Sequence, residues 1–164
     1  MAITGEWFKS EYFPHDATSI VGGARGTDPL TGLLGEVFEA GKSKMLGRGT
    51  YERFRKIFFL NEGNEISDAV AFWADLQHIG QLRFAFEKTP GDTSDNSATM
   101  PDGYTSGDFV CPVGLIDAVG CPNGGVIPAA TGEVGIWIME RIPEGLSSET
   151  GGIGRLRLAG DVAP

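Results

Sequence analysis

The stretch QLRFAFEK (81–88) alternates without a break: Leu82, Phe84 and Phe86 fall on one side, Arg83 and Glu87 on the other. Period-two alternation is the mark of a half-buried β-strand, because successive side chains point to opposite faces of the sheet. The pattern recurs along the chain. YERFRKIFFLN (51–61) is dense in aromatic and β-branched residues and reads as a strand. ISDAVAFWADL (66–76) sets Val70, Phe72 and Ala74 on one face. EVGIWIMERI (133–142) has Val134, Ile136, Ile138 and Ile142 on one face, broken by Glu140, and Trp137, Met139 and Arg141 on the other. In GRLRLAG (154–160), Leu156 and Leu158 alternate with Arg155 and Arg157. FVCPVGLI (109–116) is a further strand candidate, which Pro112 confines to an edge or a bulge.

What separates these runs also argues for strands. Gly makes up 25 of 164 residues, about twice its ordinary share, and nine Pro accompany it. A chain so rich in turn formers favours short strands joined by turns over long helices. SDAVAFWADLQ is the best helical competitor, and no amphipathic pattern exceeds about two turns. About six or seven strands between residues 51 and 160 predict an all-β fold, an antiparallel, Ig-like β-sandwich.

The first fifty residues read differently. EWFKSEYF (6–13) is aromatic-rich and fits a strand or a docking arm. Residues 14–36 have no sustained period and read as loop or extended connection. Loops of that length are uncommon inside compact domains and usually serve a function. The expected division is therefore an irregular N-terminal arm over residues 1–50 and a sandwich domain over 51–164. The polar segment TPGDTSDNSATMPDGYTSGD (89–108) reads as a loop whose tip is mobile or used for contact.

The formal net charge of −9 sets the chain against nucleic acid and anionic membranes as partners. Its basic residues gather mildly in GKSKMLGRGTYERFRK (41–56), as on a solvated arm or a contact with an acidic partner. No apolar run reaches the ~18 residues of a membrane span. The opening MAITGEWFKSEYF carries acidic residues and no long apolar core, unlike a secretory signal. Cys111 and Cys121 match no metal or redox spacing; the sequence leaves open whether they pair, and two buried free thiols are the favoured reading.

GEVFEAGKS (35–43) ends in Gly-Lys-Ser like a phosphate-binding loop, but it fails on four counts. Five residues rather than four separate Gly35 from Gly41, Glu36 and Glu39 would repel a polyphosphate, and no buried strand leads into it. The glycines that follow disfavour the helix such a loop must open. VAFWAD (70–75) alternates as a strand, so Asp75 needs no magnesium to explain it. His15 and His78 stand apart from any nucleophile or second ligand. In GDTSDN (91–96), Asp92, Asp95 and Asn96 could supply oxygens to calcium, yet the EF-hand pattern is missing and a solvated turn accounts for them. The chain thus predicts no catalytic residue, cofactor or metal, and reads as a structural or binding module.

One resemblance sharpens this. VGGARGTDPLTGLLGEVFEAG, followed by GTYERFRKIFFLNEGNEISDAVAFWAD, resembles structural proteins of tailed bacteriophages and prophages through Gly22, Gly23, Thr27, Asp28 and Pro29, then Arg55, Lys56, Ile57, Phe58 and Asn61. GIWIMERIPEG (135–145) is similar to a late strand and turn of that group through Trp137, Arg141, Pro143 and Gly145. Phe54, where the pattern prefers Tyr, and the insertion at 89–108 depart from it. The resemblance implies a virion protein without catalytic residues, of the head-decoration or cement type. It implies binding to the major capsid protein or another virion protein, in many copies or as a homo-oligomer. The competing readings are a tail, neck or baseplate component and a glycan- or receptor-binding sandwich. Candidate protein-contact residues are Trp7, Phe8, Tyr12, Phe13, Val37, Phe38, Lys42 and Lys44.

Overall fold

The computed structural model describes residues 2–13, 20–30, 51–76, 81–96, 98–142 and 154–163. Among the described residues, nine strands form two antiparallel sheets and there is no α-helix. The strands are β1 (Gly5–Tyr12), β2 (Val21–Pro29), β3 (Tyr51–Asn61), β4 (Ile66–Ala74), β5 (Leu82–Phe86), β6 (Thr93–Ser94), β7 (Val119–Gly120), β8 (Glu133–Ile142) and β9 (Arg155–Val162). The larger sheet runs β5-β8-β3-β1-β2-β6 and the smaller β7-β4-β9. This is the expected all-β antiparallel sandwich.

Apolar residues from both sheets meet in one core. Ile57 and Phe59 of β3, Phe84 of β5 and Val134, Ile136 and Ile138 of β8 face Ile66, Ala69, Ala71 and Trp73 of β4. Trp73 and Phe84 meet edge to face across the gap, with ring centroids 6.1 Å apart. Glu140, the break in the apolar face of β8, lies opposite Arg53 of β3 and forms a part-buried ion pair with it. The strand thus stays in register without leaving a lone charge inside.

The inner face of β4 is not the Val70, Phe72, Ala74 row. Ile66 points inward, the register slips between Ser67 and Val70, and Asp68 adopts φ +49°. This bulge reverses the parity, so that Ala69, Ala71 and Trp73 become the buried set. A one-residue insertion exchanges the two faces of everything after it.

The N-terminal residues carry the larger departure from expectation. β1 lies between β2 and β3 in the middle of the larger sheet, paired with β3 from Gly5↔Asn61 to Lys9↔Ile57. Residues 21–29, which read as loop, form β2. Its pattern is illegible because it is bulged: the β1–β2 ladder shifts twice, and Gly22 and Gly23 sit at φ +100° and +81°. Residues 31–50 lie outside the described part.

Pro112 shapes its segment as expected of a strand breaker. Val110 exchanges two 2.9 Å backbone hydrogen bonds with Phe84 at the rim of the larger sheet. Just beyond Pro112 the chain pairs with Trp73 of the smaller sheet instead. One short segment therefore stitches both sheets along the same side, and it does so as two isolated bridges rather than one strand.

Candidate functional site: a lysine buried beneath two carboxylates

Alternation places Phe54, Lys56 and Phe58 on the face of β3 turned away from the main core. In an ordinary sandwich that face meets water. Here the polar segment after β5 folds back over it. β6 pairs with β2, and Tyr104 and Phe109 pack with Phe54, Ala85, Trp137 and Met139 into a second apolar cluster. Phe109 lies edge-on to Phe54 at 5.4 Å, and Tyr104 to Trp137 at 6.2 Å. The stretch expected to be a mobile contact loop is largely a lid on the larger sheet. β8 is consequently apolar on both faces, each of which packs on its own core.

Lys56 is fully buried under this lid. Its Nζ donates to Glu87 Oε1 at 2.5 Å, Asp92 Oδ1 at 2.7 Å and Gly23 O at 2.9 Å, with Asp92 O at 3.2 Å. An ammonium has three protons, so four oxygens more than satisfy it. The rings of Phe58 and Trp137 flank it, centroids 5.0 and 5.6 Å away. Burying such a charge is costly unless it is both paired and hydrogen-bonded, and this one is.

The acceptors are held just as firmly. Glu87 Oε1 also accepts from the backbone N–H of Gly91 at 2.8 Å. Asp92 Oδ1 accepts from Trp137 Nε1 at 2.9 Å, and Asp92 Oδ2 from the Tyr104 hydroxyl at 2.5 Å. The same hydroxyl accepts from the Lys88 N–H at 2.7 Å. Burial, then the hydrogen bond to Asp92, push the Tyr104 phenol well above its usual range, so it stays a neutral donor. The lid is pinned further along: Asp108 bonds Lys88 Nζ and both the N–H and hydroxyl of Thr105, contacts that lower its carboxyl to about 2.

Two glycines make the site possible. A Cβ at Gly22 would stand 2.6 Å from Asp92 O and 2.7 Å from the Trp137 ring. A Cβ at Gly135 would stand 2.7 Å from the Glu87 carboxylate. The β2 bulge and the bare position on β8 thus admit the two acids to the sheet surface.

Of the candidate contact residues, Trp7 is partly buried against the main core, edge-on to Phe59 at 5.4 Å. Phe8 lies beneath the Arg25 guanidinium at 4.9 Å, and Phe13 near Lys9 Nζ at 5.4 Å. Tyr12 is exposed. A groove of about 610 Å³ is lined by residues of the paired strands β1 and β2 and by Phe13, among them Lys9, Arg25 and Asp28. Val37, Phe38, Lys42 and Lys44 lie outside the described residues, as do His15, His78 and the Gly-Lys-Ser stretch. Asp75 is exposed and 3.6 Å from Arg155. The Asp92 carboxylate, weighed above as a calcium ligand, is engaged by Lys56, Tyr104 and Trp137. Among the described residues no three His, Cys, Asp or Glu side chains gather to hold a metal. Cys111 and Cys121 are free thiols, Cys111 half-buried and Cys121 buried, and burial pushes the Cys121 thiol up to about 12.

Sequence reasoning did not bring Lys56, Glu87, Asp92, Tyr104 and Trp137 together. The available signal was Trp137 and Met139 on the second face of β8: a strand apolar on both sides needs two covers. Compared with known protein families, curated proteins and solved structures, the chain matches none.

Proposed function

We propose that the chain is a non-enzymatic structural protein of a bacteriophage particle, a head decoration or cement protein. In this reading it docks in many copies on the major capsid protein or another virion protein and resides in the virion. The phage assignment rests on the resemblance carried by residues 20–75 and 133–160. The docking reading rests on one structural observation. At the edge of the smaller sheet, beside the two-residue β7, the chain displays Val113, Leu115, Ile116 and Val126 to solvent, Ile116 completely. Apolar side chains concentrated on one edge segment are what a protein contact uses, and a short, irregular edge keeps them from recruiting stray strands. Repetition around a shell multiplies modest contacts through avidity.

Because β1 and β2 belong to the sheet, removing the first fifty residues cannot isolate a docking arm from a folded body. The test is made on the surface instead. Purified protein is mixed with emptied heads of the phage that encodes it, and co-sedimentation is measured. A Leu115→Asp/Ile116→Asp double variant should keep its circular dichroism and thermal midpoint, since exposed substitutions shift stability by only about 0.5 kcal/mol, and should lose head binding. Copy number per particle, from quantitative mass spectrometry, is the second readout. Hundreds of copies fit the shell; about six or twelve would move the protein to the tail or neck and overturn the decoration reading.

A further inference from the structure

We infer that Lys56 and Asp92 are placed to condense into an intramolecular amide bond, with Glu87 as the proton carrier. This goes beyond the docking role and does not depend on it. A structural ion pair needs one carboxylate per ammonium. Here a fully buried amine touches two, at 2.5 and 2.7 Å, in a site closed by Phe58, Trp137 and the lid. The two acids are bound differently. Glu87 receives a single backbone donor besides Lys56. Asp92 receives a neutral side-chain donor on each oxygen, Trp137 Nε1 on Oδ1 and Tyr104 OH on Oδ2. Such donors polarise a carboxyl group and stabilise the oxyanion that forms when a nucleophile adds to its carbon.

The step balances without a co-reactant. One proton of the Lys56 ammonium passes to Asp92 Oδ1 across their hydrogen bond, leaving a neutral amine against a neutral carboxyl group, and Glu87 takes a second proton from Nζ as the nitrogen attacks. The nitrogen lone pair adds to Asp92 Cγ, which a hydrogen bond to Oδ1 leaves about 3.5 Å away, in the range of near-attack contacts. Trp137 and Tyr104 hold the oxygens of the tetrahedral adduct. The Cγ–O bond to one oxygen then breaks, and that oxygen departs as water with two protons that began on Nζ, the second relayed by Glu87. The products are a Lys56 Nζ–Asp92 Cγ amide, one water and a regenerated Glu87 carboxylate. Nothing is oxidised or reduced. Exclusion of bulk water favours the neutral amine and acid that must react, and disfavours the reverse hydrolysis.

The experiment is the intact mass of the purified, folded protein, followed by peptide mapping. The expected result is a chain one water lighter than its sequence, with a branched peptide joining residue 56 to residue 92. Glu87→Gln should slow the condensation about 10²-fold or more, so that freshly folded variant retains its full mass. A folded wild-type protein that keeps its full mass after prolonged incubation overturns the proposal, and this needs no variant to fold. A water lost elsewhere, as in a succinimide at the exposed Asp102–Gly103 pair, overturns it equally, because the mapped peptides would then be linear.

Discussion

The Tyr104 hydroxyl joins three parts of the chain at one atom: Asp92 on the lid, the Lys88 backbone and the carbonyl of Phe86, 3.1 Å away. Its proton is held more tightly in the folded protein than in the unfolded chain, where it leaves at about pH 10. The contribution is therefore complete below pH 10. It is lost as pH rises further, because the unfolded chain ionises there while the folded one does not. Tyr104→Phe should cost about 1–2 kcal/mol at neutral pH through the lost hydrogen bond, and should flatten the decline in stability above pH 10. Urea unfolding of both proteins at pH 7, 9 and about 10.5 checks this; equal alkaline slopes would remove Tyr104 from the account. None of this was legible in the sequence. Lys56 sits between Phe54 and Phe58 on a strand face whose cover alternation does not reveal. What buries them is a lid of Gly, Ser, Thr and Asp whose own composition reads as loop.

β8 is the element that read most truly. Its two apolar rows, Val134, Ile136 and Ile138 against Trp137 and Met139, each found a core. Alternation groups Val70, Phe72 and Ala74 on one face of β4 but does not say which face is inward, since the bulge at Asp68 leaves no mark in a hydrophobicity pattern. β2 is hidden for a related reason: its glycines interrupt any period in the sequence, whereas in the fold they let a bulged strand lie close beneath Asp92 and Trp137. The glycine on β8 provides the clean test. Gly135→Ala keeps an extended backbone that alanine adopts readily, yet its methyl group falls within 2.7 Å of Glu87. The substitution should cost about 1–3 kcal/mol by thermal melt, through overpacking and displacement of Glu87 from Lys56. A neutral result would show that Glu87 can move without loss.

For the whole molecule, the sequence conveyed class and layers but not chain order. Alternating runs and abundant glycine announced a sandwich; they could not say that the N-terminal strand lies inside the larger sheet. Removal of residues 1–13 should therefore abolish cooperative unfolding rather than trim an appendage, because β3 would lose its neighbour along the whole of β1. Sedimentation and near-ultraviolet circular dichroism would show aggregation or a loosened core, and a compact monomer with native melting would refute the expectation. The strand order also sets a timetable. β3 receives its partner β8 only when residues 133–142 have been made, and β4 waits longer still for β9. A ribosome translating this chain releases two open sheet edges long before their mates exist, and contacts so distant along a chain form slowly. The nascent chain should thus depend on holding chaperones until β9 emerges.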